Sequence, residues 1–300
     1  MSILSSLEKI DRRVIFLFVG ISLSIPILIG VNLRPAKMQA SEAFFKEVQK
    51  LDPNSGKIVL ISSDWGPSTM AENRPQTMAG IEHLMRKRVP FAMVSLFPIA
   101  APFLEELPLA VSKKLEEETG QKWEYGKDWV NLGFRPGGSL MVQNFAKSKD
   151  FAVFLETDAN STPINEIPMM RNVKSIKDVQ MLMEFTGSVG AFNVWLQFFS
   201  GPKYVHGCTS ITIPEAFNYY STEQIVGLFE GVAGAAYYEL RLSQEYKTRA
   251  KGGEASATNS GLSFAQLGVF AFIFLGNIGL LARYLKGESD SKSDVGGGND

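Results

Sequence analysis

The chain is poor in the residues that carry most redox, metal and nucleophilic chemistry: it has one cysteine, Cys208, and two histidines, His83 and His206. One cysteine excludes an internal disulfide, so the fold rests on its apolar core, and two histidines leave little for a histidine-rich metal site. Charge of one sign is also missing. Thirty Lys and Arg stand against 31 Asp and Glu, a formal net charge of -1, and without a basic field nucleic acid is not an expected partner. No Walker A sequence and no G-x-G-x-x-G follows the first apolar run of the central region, which argues against the standard nucleotide and dinucleotide sites; no cofactor and no metal is expected.

What the chain does have is apolar sequence concentrated near its ends. Val14 to Leu33 is an uncharged run of twenty residues, fourteen of them Ile, Leu, Val or Phe, which as a helix matches a hydrocarbon core of about 30 Å. Leu262 to Ala282 is a second uncharged run, closed by Arg283 and Lys286, with Tyr284 where an interfacial aromatic belongs. A cleaved signal peptide is the competing reading of the first run, but its apolar length exceeds the usual stretch of about 7–15 residues and no clear cleavage site follows. A buried core helix is the competing reading of the second, weakened by the polar Gly/Ser/Thr-rich stretch before it.

The layout implied is a tail (1–13), a transmembrane helix (14–33), a soluble domain (34–250), a linker (251–261), a second transmembrane helix (262–282) and a disordered tail (283–300). Basic residues nearly balance across the first run, with Lys9, Arg12 and Arg13 before it and Arg34, Lys37 and Lys46 after it. Because Arg12 and Arg13 abut the helix directly, the positive-inside rule favours a cell (inner) membrane protein with cytoplasmic termini and an extracytoplasmic domain. In the second run Ala265, Gly268, Gly276 and Gly279 share one helix face, and Gln266 and Asn277 a neighbouring stripe. Small residues allow close helix approach and amides in hydrocarbon seek partners, so association is expected with the first span or with another subunit, unless both amides meet water at the interface.

Between the runs, apolar segments alternate with helical patterns. The spacing predicts strands at 57–62, 90–97, 128–134, 180–186 and 204–212, with helices at 69–88, 101–120, 137–147, 188–199 and 221–248. Apolar runs rather than alternating ones imply a mainly parallel, five-stranded sheet covered on both faces, a doubly wound α/β fold of flavodoxin or Rossmann type. The last helix would hold Gly227, Gly231 and Gly234, at about 1 kcal/mol each relative to alanine, and close packing on the sheet is the simplest compensation.

In such a sheet ligands bind beyond the carboxyl ends of the strands, which singles out Asp64 and Trp65 after the first strand, Arg135, Gly137, Gly138 and Ser139 after the third, and Ser188 after the fourth. Arg135-Pro136-Gly137-Gly138-Ser139 joins a fixed positive charge to a helix start whose free N–H groups suit an anion; a plain strand-to-helix turn capped by Ser139 is the bland alternative. His206 and Cys208 share a strand face, as a nucleophile and base would, although side chains so placed are seldom oriented for proton transfer and a lone buried cysteine is usually apolar filler. Asp64, Glu156 and Asp158 could meet if the 151–160 segment folds over the strand ends, with solvated loop carboxylates as the default.

Gly126–Gly138, Val205–Pro214 and the Gly227-x-x-x-Gly231-x-x-Gly234-Ala-Ala236 pattern, together with the flanking runs, resemble a family of prokaryotic two-span membrane proteins with a central α/β domain. The resemblance covers most of the chain, supports the layout, implies no activity and carries over no functional residue. The expectation is a membrane-tethered, non-enzymatic binding or assembly module whose partners are the lipid bilayer and other membrane proteins or copies of itself. The alternative is a membrane-bound hydrolase or small-anion sensor at the strand-end rim.

Overall fold

The computed structural model describes residues 11–290. Lys9 and most of the predicted N-terminal tail lie outside the described residues, as do residues 291–300 of the predicted C-terminal tail. The chain forms two compact units, Arg34–Ser256 and the terminal stretches up to Leu33 and from Ala257 onward.

In the first unit six strands form one sheet: β1 (Ile58–Asp64), β2 (Phe91–Ser95), β3 (Trp129–Phe134), β4 (Val179–Thr186), β5 (Lys203–Cys208) and β6 (Gly227–Glu230). Their order is β3-β2-β1-β4-β5-β6 and every pairing is parallel. All seven residues of β1 and all five of β2 are buried, as a strand covered on both faces demands. One face carries α2 (Gln39–Gln49), α3 (Met70–Lys87), α4 (Phe103–Thr119) and α9 (Gly231–Glu245), with Phe44, Leu84, Leu107 and Tyr238 in its core. The other carries α5 (Gly138–Lys147), the short α6 (Phe151–Leu155), α7 (Val189–Phe198) and α8 (Ile213–Ser221), around Phe145, Phe192 and Trp195.

The parallel α/β reading from sequence holds, with six strands rather than five. The long helix expected over 221–248 is instead α8, then β6, then α9, and the strand expected over 204–212 stops at Cys208. Glycine reveals why. A Cβ on Gly227 would stand 2.4 Å from the Phe44 Cα, so this position belongs to an edge strand crossed at close range by α2, and not to a helix interior. Val226 joins the sheet through its N–H to the Tyr204 carbonyl at 2.8 Å.

The second unit holds α1 (Arg12–Leu28), of 17 residues, and all but the first three of the 37 residues of α10 (Glu254–Asp290), which starts at the end of the first unit. Among the described residues one stretch, Glu254–Ile278 in α10, is long and apolar enough to cross a membrane. The twenty-residue helix expected over 14–33 ends early: Gly30 turns left-handed at φ +69°, and the N–H groups of Gly30 and Val31 return to the carbonyls of Ile27 and Pro26, a glycine stop that satisfies the last carbonyls. The expected linker is likewise mostly helix, since α10 already begins at Glu254 and runs through the first part of the expected tail to Asp290.

Candidate functional site

The strand order reverses direction beside β1, so the loops after β1 and β4 depart to opposite faces, the place where a ligand crevice opens in sheets of this kind. Here protein atoms fill it. A Cβ on Gly187 would meet the Thr69 Cγ2 at 2.7 Å and the Thr209 Cγ2 at 3.1 Å. Trp65 is buried, stacked on Phe103 at 4.7 Å between centroids, with its Nε1 donating to the Thr77 hydroxyl at 3.1 Å.

Asp64 sits fully buried at the end of β1. Ser62 Oγ (2.6 Å) and Trp195 Nε1 (2.8 Å) donate to one carboxylate oxygen, and Ser95 Oγ (2.9 Å) and the Leu96 N–H (2.5 Å) to the other. Burial first, and the nearby Glu184 carboxylate second, push its pKa up to about 6 against these donors. With four donors already placed, the group ties β1 to β2 and α7.

The sheet register sets Ser62 opposite Glu184 and Glu184 opposite His206, so one row of same-face side chains crosses three central strands. Tyr204, two residues before His206, donates its hydroxyl to Glu184 Oε2 at 2.7 Å, and its own pKa is held well above the usual phenol value by burial and by Glu184. His206 Nδ1 lies 2.8 Å from the same oxygen without hydrogen-bond alignment, and its ring stacks on Phe192 at 4.2 Å. Glu184 Oε1 has no hydrogen-bond partner among the described residues. The row reaches a cavity of about 10 Å³ bordered by Ser188, His206, Thr212 and Glu215, which has room for about one water and for no substrate.

The other sequence candidates do not converge on this row. Arg135 donates to the carbonyls of Leu132 (2.8 Å), Leu155 (3.0 Å) and Thr157 (2.5 Å), so its guanidinium braces a loop rather than offering itself to an anion. Gly137, at φ +111°, caps α5 in place of Ser139; Gly138 and Ser139 are exposed in its first turn. Ser188 accepts from the Ala191 N–H at 3.4 Å as the cap of α7. Cys208 is buried, and burial pushes its thiol up to about 12, which leaves no thiolate to pair with His206. Asp158 organises its own loop, accepting from Tyr125 (2.6 Å) and the N–H groups of Asn160 and Thr162 (both 2.8 Å). Glu156 merely caps α6. Among the described residues no three His, Cys, Asp or Glu side chains are disposed to hold a metal. His83 is fully buried, its Nδ1 2.5 Å from the Tyr238 hydroxyl, and burial with the Lys87 charge pushes its pKa down to about 3.

Sequence reasoning missed a second buried centre on the opposite face. Glu82 receives Arg86 (2.8 Å), Arg249 (2.7 Å) and Lys114 (3.3 Å), and these charges outweigh burial to hold its pKa at about 2. Arg249 also donates to the Glu239, Ala250 and Gly252 carbonyls, while Glu239 accepts the N–H groups of Ala255 and Ser256 at the start of α10. The i,i+4 spacing of Glu82 and Arg86 was legible; nothing in the spacing pointed to Arg249 or Glu239.

Within the terminal unit, a Cβ on Gly268 would stand 2.8 Å from the Phe18 ring and one on Gly261 2.9 Å from the Leu23 carbonyl and Ile27, so α1 and α10 meet at these small residues. Phe18 also meets Phe272 edge to face. Gly276 has open space around it, Gln266 is exposed, and the exposed Asn277 amide returns to the Ile273 carbonyl at 2.9 Å. Gly279 lies in α10 but its surroundings are outside the described residues. Comparison with known protein families, curated proteins and solved structures finds no match for this chain.

Proposed function

We propose that this chain is a membrane-anchored, non-enzymatic binding or assembly module of a membrane-protein complex, held to the bilayer by α10 and by α1 with the apolar residues that follow it. The observation that carries the binding role is the make-up of the sheet's carboxyl edge. Where this fold usually keeps a polar cleft, Met70 after β1, Ile99 after β2, Leu140 after β3 and Ile211 after β5 are between 38% and 85% exposed. Above a filled crevice, apolar side chains of this kind suit a protein partner better than a small ligand. The anchoring role is supported by Phe16, Phe270 and Phe274, each about two-thirds exposed or more; water is a poor solvent for such surface. Gly276, open on its helix face, leaves room for a helix of another subunit. Arg12 and Arg13 at the head of α1 favour cytoplasmic termini and an extracytoplasmic domain.

A hydrolase or small-anion sensor at the same rim has less support, because Asp64 and Arg135 have their hydrogen bonds within the protein.

Co-purification from native membranes in mild detergent tests the reading. Ile211→Asp with Leu140→Asp should strip a partner that wild type retains, and Gly276→Leu should alter the size of the extracted species. A strictly monomeric wild type that retains no partner would remove the assembly role, and release by carbonate washing would remove the anchor. Because Cys208 is buried, a cysteine introduced at exposed Lys113 gives a clean readout of sidedness with an impermeant thiol reagent.

A further inference from the structure

The first unit carries a crevice of about 320 Å³ between the segment leading into α2 and the outer side of α9, walled by Arg34, Lys37, Glu42, Tyr237, Arg241 and Gln244. Three cations face one carboxylate there, and that carboxylate is occupied. Glu42 accepts Arg241 Nη1 and the Tyr237 hydroxyl (2.9 Å) and lies 3.8 Å from Lys46. Arg241 is fixed in place, its guanidinium 4.7 Å from the Phe45 ring centroid, and its enclosed Nε donates to nothing among the described residues. Arg34 and Lys37 are exposed and have no ion-pair partner among the described residues. A cleft of this size lies within the range of small-molecule sites, about 300–1,000 Å³. The larger crevice near the start of β5 also carries cations, Lys50 and Lys203 set against Glu47 together with Lys57 and Lys177, but none of them adjoins an apolar terminal stretch in sequence.

Chain continuity decides what anion this crevice meets. Arg34 follows Leu33, the last residue of the uncharged terminal stretch, with Lys37 three residues on. Consecutive Cα atoms are about 3.8 Å apart, so both cations stay within roughly 15 Å of that stretch however the domain is tilted. We infer that the crevice walled by Arg34, Lys37 and Arg241 binds the phosphate of an anionic lipid headgroup. The guanidinium groups supply planar N–H donors to the phosphate oxygens and Lys37 a mobile point charge. The inference rests on the membrane anchoring proposed above.

The test uses the full chain in neutral-detergent micelles, titrated with phosphatidylglycerol, phosphatidylcholine or inorganic phosphate, with retained lipid read by native mass spectrometry and stability by thermal unfolding. Phosphatidylglycerol should bind at least tenfold more tightly than phosphatidylcholine. Arg34→Gln with Lys37→Gln, two exposed positions whose loss does not threaten folding, should weaken it about thirtyfold at low salt, about fivefold for each cation. Equal retention of the two lipids, or a double variant that binds like wild type, would overturn the inference. Inorganic phosphate that alone reproduces the stabilisation and displaces the lipid would assign the crevice to a soluble anion and overturn the headgroup. Carbonate washing of wild-type and variant membranes separates the two readings: both chains staying in the pellet leaves anchoring intact while headgroup selectivity is judged, whereas release of wild type defeats anchoring on its own.

Discussion

The domain buries two clusters of ionisable groups and keeps each by a different means. On the α3/α9 face Glu82 is surrounded by Arg86, Lys114 and Arg249. On the other, Asp64 and Glu184 lie in one apolar layer with no Lys or Arg paired to either among the described residues; serine, tryptophan, tyrosine and histidine side chains and one backbone N–H surround them. The outcome is opposite for two carboxylates that burial alone would push the same way: Glu82 falls to about 2 and Asp64 rises to about 6. Counter-charge overcomes desolvation, whereas neutral donors only moderate it. The charged cluster also grips Arg249 and the carbonyls leading into α10, so it is a mooring at the domain's C-terminal end. The neutral-donor cluster knits the centre of the sheet.

Removing the counter-charge should have the largest effect. Arg249→Met leaves Glu82 buried with a weaker set of cations and deprives the Glu239, Ala250 and Gly252 carbonyls of their donor. A loss of about 3–5 kcal/mol at pH 7 is expected from denaturant unfolding of the full chain in mild detergent. A loss under about 1 kcal/mol would show that Arg86 and Lys114 suffice and that the mooring is redundant.

The two carboxylates also give stability opposite dependences on pH. Glu82, lowered from 4.5 to about 2, contributes about 3 kcal/mol that is whole above pH 4.5 and lost as pH falls toward 2. Asp64, raised from 3.8 to about 6, holds its proton more tightly folded than unfolded. Its contribution, again about 3 kcal/mol, is whole below about pH 4 and lost as pH rises through 6. Between pH 4 and 6 this fall opposes the rise that His83, lowered from 6.5 to about 3, imposes, so Asp64→Asn should make stability climb more steeply with pH there than in wild type while leaving the Glu82 contribution below 4.5 in place. A variant with the wild-type slope between pH 4 and 6 would take the titration away from Asp64.

Local pattern in the sequence delivered the sheet class, because β1, β2 and β4 are apolar runs whose burial on both faces requires covering helices. It failed at β6, where four residues between two helices carry no alternation of their own and form a strand through long-range pairing with β5, beneath α2 at Gly227. Of the site candidates, Asp64, Trp65, Arg135 and Ser188 lie at or just past strand ends. What occupies the crevice beside them depends on the contact of Thr69 with Gly187, over a hundred residues apart. Arg135 misled for a related reason: a lone arginine before a glycine pair reads as an anion site until the 155–157 carbonyls that consume it are folded back. Glu184, His206 and Tyr204 could have been found by counting same-face positions on β4 and β5, had their register been known.

The smallest change tests whether the central row behaves as a unit. Tyr204→Phe removes one hydroxyl from a fully buried position and leaves Glu184 Oε2 with the misaligned His206 as its polar neighbour. Taking a donor from a buried carboxylate should cost about 2 kcal/mol at pH 7. Adding Glu184→Gln removes the charge that the phenol was satisfying, so the double variant should be no less stable than Tyr204→Phe alone, an interaction that a thermodynamic cycle isolates. If the two losses simply add, the hydroxyl and the carboxylate stabilise the sheet independently, and the row is held by packing against Phe192 rather than by its polar contacts.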